Sequence, residues 1–497
     1  MVDFTVPVYE KLASWNQNAR REYISACLCF PYDNMHPRSA VIQHLQAAVS
    51  RLQKKQPVIA SEIHLYRQSG MLYLAYNPPN CFETESSVVT VEERPVDFLG
   101  DDFPRAYQEL RDLQWPPGFF MDKHQLLGLG DFSIFPRARA FRLQVTFLED
   151  GFLLWVHLHH SVGDAACLSA ILVSIAAETC GDNDALSPPM TPLQPAKLTA
   201  SIAPDISWHD LATSCPELGL FPENTPFDSV AAPLPRLDPP PPAAQPHTSA
   251  IFVIKVDALK NIGEMIRLVS CVDNTPSIFV VLSALTWNYI TRARYKHEVA
   301  YAMATPEVAT LGLTTHWRQR AFQKEAAPYF GNASAGVITR VPRDVLLGLS
   351  GHPSRPGGLP AWVPAVTESI QVAFKHVDEP FVAVRTAMMD KAVREGRVLG
   401  RTTSPFYAGD LEMDSWRHLG VHARWEIPGV GVAEPDRVRI VAGNTSGGRG
   451  ALVLPAKHDA EYVELLVTLA EGSMKELMAC QEWMTLVDRV IRAHGET

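Results

Sequence analysis

The sequence predicts an α/β protein of at least two domains, and three observations support that prediction. The 497 residues are too many for one small core. Short strand-like and helix-like stretches alternate from residue 22 to residue 95, and periodic sequence resumes after Thr248. Between them lies a proline-rich stretch, which we interpret as a long crossover between two domains; a proline-rich ligand is the alternative. We therefore predict an N-terminal domain over residues 1–183, a crossover over residues 184–248 and a C-terminal domain over residues 249–497.

The composition is that of a soluble globular protein, with 46% hydrophobic and 20% charged residues. A formal net charge of −10 argues against nucleic-acid binding, and no basic run or membrane-length apolar stretch predicts a membrane partner. The first residues lack the basic and apolar regions of a secretory signal. Eight cysteines without metal spacing are most simply reduced thiols, so we expect a cytoplasmic protein.

The remaining elements follow from apolar periodicity and from proline and glycine positions. In the first half, the pattern predicts a helix over residues 40–52 that ends before Pro57, and two strands joined through Gly70 over residues 63–66 and 71–76. In the second half, it predicts a buried helix at 277–294, helices at 365–377 and 381–393 separated by Pro380, a strand at 451–455, and one or two amphipathic helices at 460–493.

Residues 152–179 form the stretch with the clearest chemical content. An apolar run from Phe152 to Leu158 predicts a buried strand, and residues 165–179 predict a packed helix. His160 falls between them, at a strand end where a cleft can open. Gly163 permits a tight turn, and Asp164 stands where its carboxylate can cap the helix. This strand–turn–helix corner suits a general base and its structural support.

An acyl transfer fits this arrangement, because a neutral imidazole can take the proton of an alcohol that attacks a carbonyl. A purely structural histidine is the alternative. A metal site built from His157, His159 and His160 is awkward, because the first two share one strand face and His160 points to the other. We therefore predict no metal.

The segment HSVGD, residues 160–164, resembles the HxxxD motif of the BAHD acyl-CoA-dependent acyltransferases, in particular fungal members of secondary metabolism. The lead-in from Gln144 resembles that of the family, and Tyr329 to Ala333 match its YFGNA motif. The resemblance implies an α/β (α+β) fold of two similar chloramphenicol-acetyltransferase-like domains. Each would be a mixed β-sheet flanked by helices, with the long crossover between them and the active site at their interface.

The resemblance also implies roles for particular residues. His160 would be the general base, with Asp164 as its structural support through an ion pair to Arg318. Trp416 would line the site, where its indole N–H and backbone N–H groups near Gly163 can donate to a developing oxyanion. The alternatives are that Arg318 is an ordinary surface residue and that Trp416 is an ordinary core residue. Substrate-binding positions would be His159, Tyr329, Asn332 and Ser415.

Two segments depart from the family pattern. Ile278, Phe279 and Val280 stand where the family has Thr, Asn and Asp, which suggests an altered helix start. Residues 424–426, Arg-Trp-Glu, replace part of the family's DFGWG segment. Because that segment supports the fold away from the site in the resembled family, we expect its change to affect the structural arrangement more than the chemistry. A divergent coenzyme surface or a changed activity is the alternative.

The sequence thus predicts an O-acyltransferase, most simply an acetyltransferase, with acyl-CoA as co-substrate and no permanently bound cofactor. Its acceptor would be a small-molecule alcohol of secondary metabolism, and the protein would be a monomer. His159 and the HxxxD motif together also resemble the HHxxxD core of condensation domains, which use carrier-bound donors. A fold reused for a cyclisation or for ligand binding is the third hypothesis.

Overall fold

The structure is a computed structural model, and it describes residues 8–66, 68–76, 89–121, 137–181, 205–232, 234, 246–270, 274–297, 307–321, 329–349, 358–403, 409–441, 450–457 and 459–494. Within these ranges no helix is both long enough and apolar enough to cross a membrane. Most of the predicted proline-rich crossover, including residues 184–204 and 235–245, lies outside the described residues.

The strands in chain order are β1 (Val8–Lys11), β2 (Tyr23–Pro31), β3 (Glu62–Tyr66), β4 (Met71–Tyr76), β5 (Val91–Glu93), β6 (Arg137–Arg139), β7 (Phe141–Phe147), β8 (Gly151–His159), β9 (Leu218–Leu220), β10 (His247–Lys255), β11 (Val308–His316), β12 (Ser334–Pro342), β13 (Leu399–Arg401), β14 (Leu411–Ser415), β15 (Trp425–Ile427), β16 (Gly431–Ala433), β17 (Arg437–Val441), β18 (Gly450–Val453), β19 (Tyr462–Ala470) and β20 (Val487–Arg492).

The α-helices are α1 (Ser14–Gln17), α2 (Arg38–Lys55), α3 (Tyr107–Asp112), α4 (Ala165–Thr179), α5 (Trp208–Ser214), α6 (Val256–Ser270), α7 (Ile278–His297), α8 (Arg318–Ala321), α9 (Arg343–Leu346), α10 (Trp362–Lys375), α11 (Glu379–Arg394), α12 (Glu471–Ala479) and α13 (Gln481–Met484). Short 3₁₀ turns lie at Pro57–Ala60, Val96–Leu99, Pro117–Phe119 and Phe227–Ser229.

The first large sheet has five strands in the order β17-β2-β8-β7-β5. Its central strand β8 is buried along its whole length, which explains its unbroken apolar sequence. Helices α2 and α4 pack against each other and contribute to the same core as this sheet. A smaller sheet, β1-β4-β3-β6, packs into the same core. The corner between β8 and α4 is therefore fixed on both sides by buried apolar contacts.

The second large sheet has seven strands in the order β12-β11-β14-β18-β19-β10-β20. It is mixed, because β14 runs parallel to both β11 and β18 while the other pairs are antiparallel. Helices α7 and α10 share a second core with its strands. The carboxyl ends of β11 and β14 thus lie side by side.

One segment from the second half of the chain completes the first sheet. Strand β17 pairs antiparallel with β2, from Arg437 opposite Cys29 to Val441 opposite Ser25. The hairpin β15–β16 precedes it, and its Trp425 is fully buried in the core of the first sheet. The altered DFGWG segment therefore lies in that core, where its residues pack against α4 and α2.

Most of the predicted elements are confirmed, with boundaries that differ by a few residues. The predicted strand–turn–helix corner becomes β8 and α4, and the helix at 277–294 becomes α7. Its altered start is capped by Ser277, whose Oγ accepts from the Val280 N–H at 3.3 Å. In the described part of the crossover, α5 forms and β9 pairs with β13.

The prediction of amphipathic helices over residues 460–493 is wrong at both ends. Residues 462–470 form β19 and residues 487–492 form β20, with only α12 and the short α13 between them. Both strands pair with β10, and β19 also pairs with β18. Because β19 is buried on both faces, its apolar residues do not alternate, and periodicity alone cannot separate such a strand from a helix.

Replacing Trp425 with alanine should destabilise the protein. Its side chain is fully buried, with its ring centroid 5.9 Å from that of Phe30, so the substitution leaves a cavity in the core. We expect the free energy of unfolding to fall by about 3–5 kcal/mol, measured by denaturant titration. In the control Val432→Ala, on the paired strand and 52% exposed, we expect a change within about 0.5 kcal/mol. Equal losses in the two variants would contradict the placement.

Candidate active site

A cavity of about 1250 Å³ is lined by residues of both large sheets. Tyr23 and Ile24 of β2 line it from the first sheet. Residues 312–316 of β11 and residues 412–415 of β14 line it from the second. His160, which follows β8 directly, also lies in its wall. The predicted general base therefore faces a space that both halves of the chain enclose and that can hold more than one small molecule.

The His160 imidazole is oriented by the backbone of its own turn. Its Nδ1 lies 3.3 Å from the carbonyl oxygen of Gly163. A carbonyl oxygen only accepts hydrogen bonds, so this contact places the proton on Nδ1 and leaves a lone pair on Nε2. The backbone of His160 is held as well: its N–H donates to the Glu22 carbonyl at 2.8 Å, and its carbonyl accepts from Asn332 Nδ2 at 2.7 Å.

The Asp164 carboxylate pairs with Arg318. The two guanidinium nitrogens Nη1 and Nη2 lie 3.0 and 3.2 Å from Asp164 Oδ2 and Oδ1. Both side chains are buried. Burial alone would raise the pKa of Asp164, but the Arg318 guanidinium more than offsets it and holds that pKa well below its usual range. The ion pair implied by the family resemblance is thus present, and Arg318 is not a surface residue.

The Asp164 carboxylate also fixes the start of β12. Its Oδ2 accepts from the Ala333 N–H at 2.9 Å and from Ser334 Oγ at 3.0 Å. Its Oδ1 accepts from the Cys167 N–H at 3.2 Å, which makes it the N-cap of α4, as predicted. One carboxylate therefore joins the first turn of α4 to two segments of the second half.

Gly163 is required for space and not for an unusual backbone angle. A Cβ atom at this position would lie 2.7 Å from Cβ and 2.9 Å from Sγ of Cys167. Its N–H contacts the His159 carbonyl at 3.4 Å. The prediction that backbone N–H groups near Gly163 donate to an oxyanion stays a prediction.

His159 is buried and does not line the cavity, contrary to the predicted substrate-binding role. Its Nδ1 accepts from the Ser161 N–H at 3.2 Å, and its ring packs edge-on against Tyr23. Burial, together with the charges of His160 and Arg21, lowers the pKa of His159 to about 3. It is a neutral structural histidine, while its neighbour His160 faces the cavity.

Tyr329 and Asn332 have different positions. Tyr329 is buried outside the cavity lining, stacked on Trp317 with centroids 5.9 Å apart and with the Arg318 guanidinium 5.3 Å from its ring. Its predicted substrate contact is therefore corrected to a packing contact. Asn332 does line the cavity, beside its bond to the His160 carbonyl.

Trp416 and Ser415 line the cavity, and substrate binding by Ser415 stays a prediction. The Trp416 indole N–H, however, donates to Asp414 Oδ2 at 3.3 Å. The proposed oxyanion donor is thus already engaged by a carboxylate of the neighbouring strand end. Ser415 offers a hydroxyl in the same wall.

Three residues that sequence reasoning did not assign belong to the site. Asn16 of α1 donates from Nδ2 to the carbonyls of Ser161 and Val162 at 2.8 and 3.0 Å, which fixes the turn after His160. His316 lines the cavity, with its Nε2 3.4 Å from Arg318 Nη1. Asp414 lines it beside Trp416. No sequence pattern identifies Asn16 as a site residue, because its role depends on a contact with a residue 145 positions away in the chain.

In the described part of the chain, no group of three or more histidine, cysteine or acidic residues is arranged to hold a metal ion. The contact between His157 Nδ1 and Ser25 Oγ, 2.8 Å long, is buried within the first sheet.

Fold and site share one arrangement: two mixed sheets enclose one cavity, His160 faces that cavity, and Asp164 is buried in an ion pair. The model of a family described as the Transferase family matches residues 108–347. No curated protein sequence matches this chain.

Solved structures agree with this architecture. The F. graminearum TRI101 structure complexed with coenzyme A and T-2 mycotoxin has a TM-score of 0.73 at 13% identity, and the alignment covers 97% of this chain and 100% of that one. Vinorine synthase gives 0.60 at 16% identity, covering 97% and 94%. The condensation domain of the polyketide synthase MokA gives 0.55 at 13%, covering 97% of each. These neighbours share the fold of this chain, and the family model matches the sequence of residues 108–347.

The neutral, buried His159 should make the protein less stable in mild acid. Its pKa is near 3 when folded and 6.5 as an ordinary histidine. Below pH 6.5 the unfolded chain therefore binds a proton that the folded protein does not, and stability falls as the pH falls toward 3. Between pH 6.5 and 5.5 this accounts for about 1 kcal/mol.

The test compares the free energy of unfolding at these two pH values in wild type, His159→Asn and His209→Asn. Between these pH values, the free energy of unfolding of His159→Asn should fall by about 1 kcal/mol less than that of wild type. The variant at exposed His209 should behave as wild type does. An unchanged pH dependence in His159→Asn would contradict the assignment.

Proposed function

We propose that the protein is an acyl-CoA-dependent O-acyltransferase, most simply an acetyltransferase, that acts on a hydroxyl of a secondary metabolite. The observation that carries the proposal is the hydrogen bond from His160 Nδ1 to the Gly163 carbonyl. It leaves the Nε2 lone pair for a substrate in a cavity large enough for an acyl thioester and an alcohol together. Structural neighbours of the same architecture are complexed with coenzyme A.

The reaction includes two proton transfers, and the His160 imidazole takes part in both. His160 Nε2 takes the proton of the acceptor hydroxyl as its oxygen attacks the thioester carbonyl, which forms a tetrahedral oxyanion. Collapse of that intermediate breaks the carbon–sulfur bond and forms the ester. The imidazolium then returns its proton to the leaving thiolate. The Ser415 hydroxyl, in the same wall, suits a hydrogen bond to substrate during these steps.

No acyl-enzyme is needed, and the nearby cysteine is unsuited to forming one. Cys167 is buried, and its sulfur contacts the N–H and the carbonyl of Gly331, each at 3.3 Å. Burial raises the pKa of this thiol to about 12, so it remains protonated and unreactive at neutral pH. This favours a ternary complex in which both substrates occupy the cavity.

The phosphates of coenzyme A have suitable partners at one part of the cavity wall. Arg320 and Lys375 line it, and neither forms an ion pair among the described residues. Ser277 and Phe279 at the start of α7 line it as well. Two cations and the N-terminus of a 20-residue helix make a favourable place for an anionic group.

A carrier-bound acyl donor is the second candidate. The paired histidines at 159 and 160 resemble the HHxxxD core, and the MokA condensation domain shares the fold. The same His160 would act in that case, so only the donor would differ. In either case we propose a cytoplasmic monomer of fungal origin.

The test follows thiol release from acetyl-CoA with a panel of hydroxylated metabolites. Without its base, His160→Ala should be about a hundredfold slower than wild type. The control His209→Ala removes an exposed histidine and should leave the rate unchanged. Equal rates in wild type and His160→Ala would remove His160 from the reaction. No thiol release from any acyl-CoA, with transfer from an acylated carrier protein, would favour the second candidate.

A further inference from the structure

The charged side chains that line the cavity are not all paired with groups of opposite charge among the described residues. Five carboxylates line the cavity, and four of them face a guanidinium: the pairs are Glu22 with Arg20, Asp164 with Arg318, Glu217 with Arg385, and Glu412 with Arg401. Asp414 is the fifth. Within the described ranges it forms no ion pair with a lysine or arginine.

Asp414 has only neutral hydrogen-bond donors around its carboxylate. Its Oδ1 accepts from the Ser415 N–H at 2.7 Å, and its Oδ2 accepts from Trp416 Nε1 at 3.3 Å. These two bonds leave acceptor capacity on both oxygens, because a carboxylate can accept about four. The side chain is half-buried and lines the cavity. An unpaired carboxylate in such a place is unfavourable as an anion unless a cation binds beside it, and otherwise it tends to take up a proton.

The position of Asp414 places this charge near the reacting groups. Glu412 and Asp414 are two residues apart on β14 and both line the cavity. Burial raises the pKa of Asp414 above its usual value, and its hydrogen bonds and the neighbouring His160 offset this only in part.

We propose that Asp414 binds a cationic nitrogen of the acceptor, so that the acceptor is an amino alcohol whose basic nitrogen is separate from the hydroxyl that is acylated. The inference rests on the proposed function, because it assigns Asp414 to the acceptor of that same site. Arg320 and Lys375 would take the anionic donor, and Asp414 would take the cationic acceptor. The charge pattern of the wall thus matches two substrates of opposite charge.

The experiment uses three alcohols of one shape: tropine, a tertiary amine; N-methyltropinium, which is permanently charged; and the neutral bicyclo[3.2.1]octan-3-ol. Calorimetry measures their binding to the enzyme saturated with coenzyme A. Wild type should bind the two cations at least tenfold more tightly than the neutral alcohol. In Asp414→Asn and Asp414→Thr this ratio should fall to near one.

The matched control is the double variant Glu412→Gln with Arg401→Met, which removes both members of an ion pair from the same wall and so leaves its net charge unchanged. It should keep the preference of wild type. A wild-type ratio near one, or a ratio that survives in both Asp414 variants, would overturn the proposal. Loss of turnover that is equal for all three alcohols, with binding ratios unchanged, would also overturn it and make Asp414 a support of His160.

Calorimetry and thiol release separate this inference from the proposed function. Selective binding of the cations without thiol release from any acyl donor would keep the cation site and reject the acyl transfer. Thiol release with no preference for cations would keep the acyltransferase and reject the role of Asp414. Thermal unfolding of each variant identifies one that fails to fold, and the second Asp414 variant then carries the test.

Discussion

The ion pair between Asp164 and Arg318 is the contact on which the rest of the site depends. It joins the cap of α4, in the first half of the chain, to the segment that follows β11 in the second. Both charges are buried, and such a pair persists only when its geometry and its remaining hydrogen bonds are satisfied. Asp164 meets this condition with backbone and hydroxyl donors from β12. The cavity exists where it does because these segments are held together.

The histidine of the motif is therefore oriented without direct help from its aspartate. The Gly163 carbonyl fixes the tautomer of His160, and Asn332 holds its carbonyl. Asp164 acts on the architecture, since it fixes the segment to which Asn332 belongs. This division of roles explains why a five-residue motif needs partners more than 150 residues away. Asp414, in the same wall, has only neutral hydrogen-bond donors among the described residues.

Short-range patterns predicted the parts of this fold that local sequence determines. The β8–α4 corner and the cap by Asp164 follow from apolar spacing and the helix-start rule, and both are present. The prediction of helices over residues 460–493 was wrong, because a strand that is buried on both faces shows no alternation of apolar and polar residues. The pairing of Arg318 with Asp164 was predicted from the family resemblance and not from a local pattern. Contacts between distant segments could not be predicted: the function of Asn16 depends on a turn 145 residues away that no local pattern encodes.

The measurement that tests this account most directly is a double-mutant cycle on Asp164→Asn and Arg318→Met, with the free energy of unfolding and kcat/KM as readouts. Each single variant leaves an unpaired buried group and should lose about 3–5 kcal/mol of stability. The double variant should lose clearly less than the sum, with a coupling of about 2 kcal/mol. All three should lose kcat/KM. Additive losses, or full activity in the double variant, would contradict the dependence of the site on this pair.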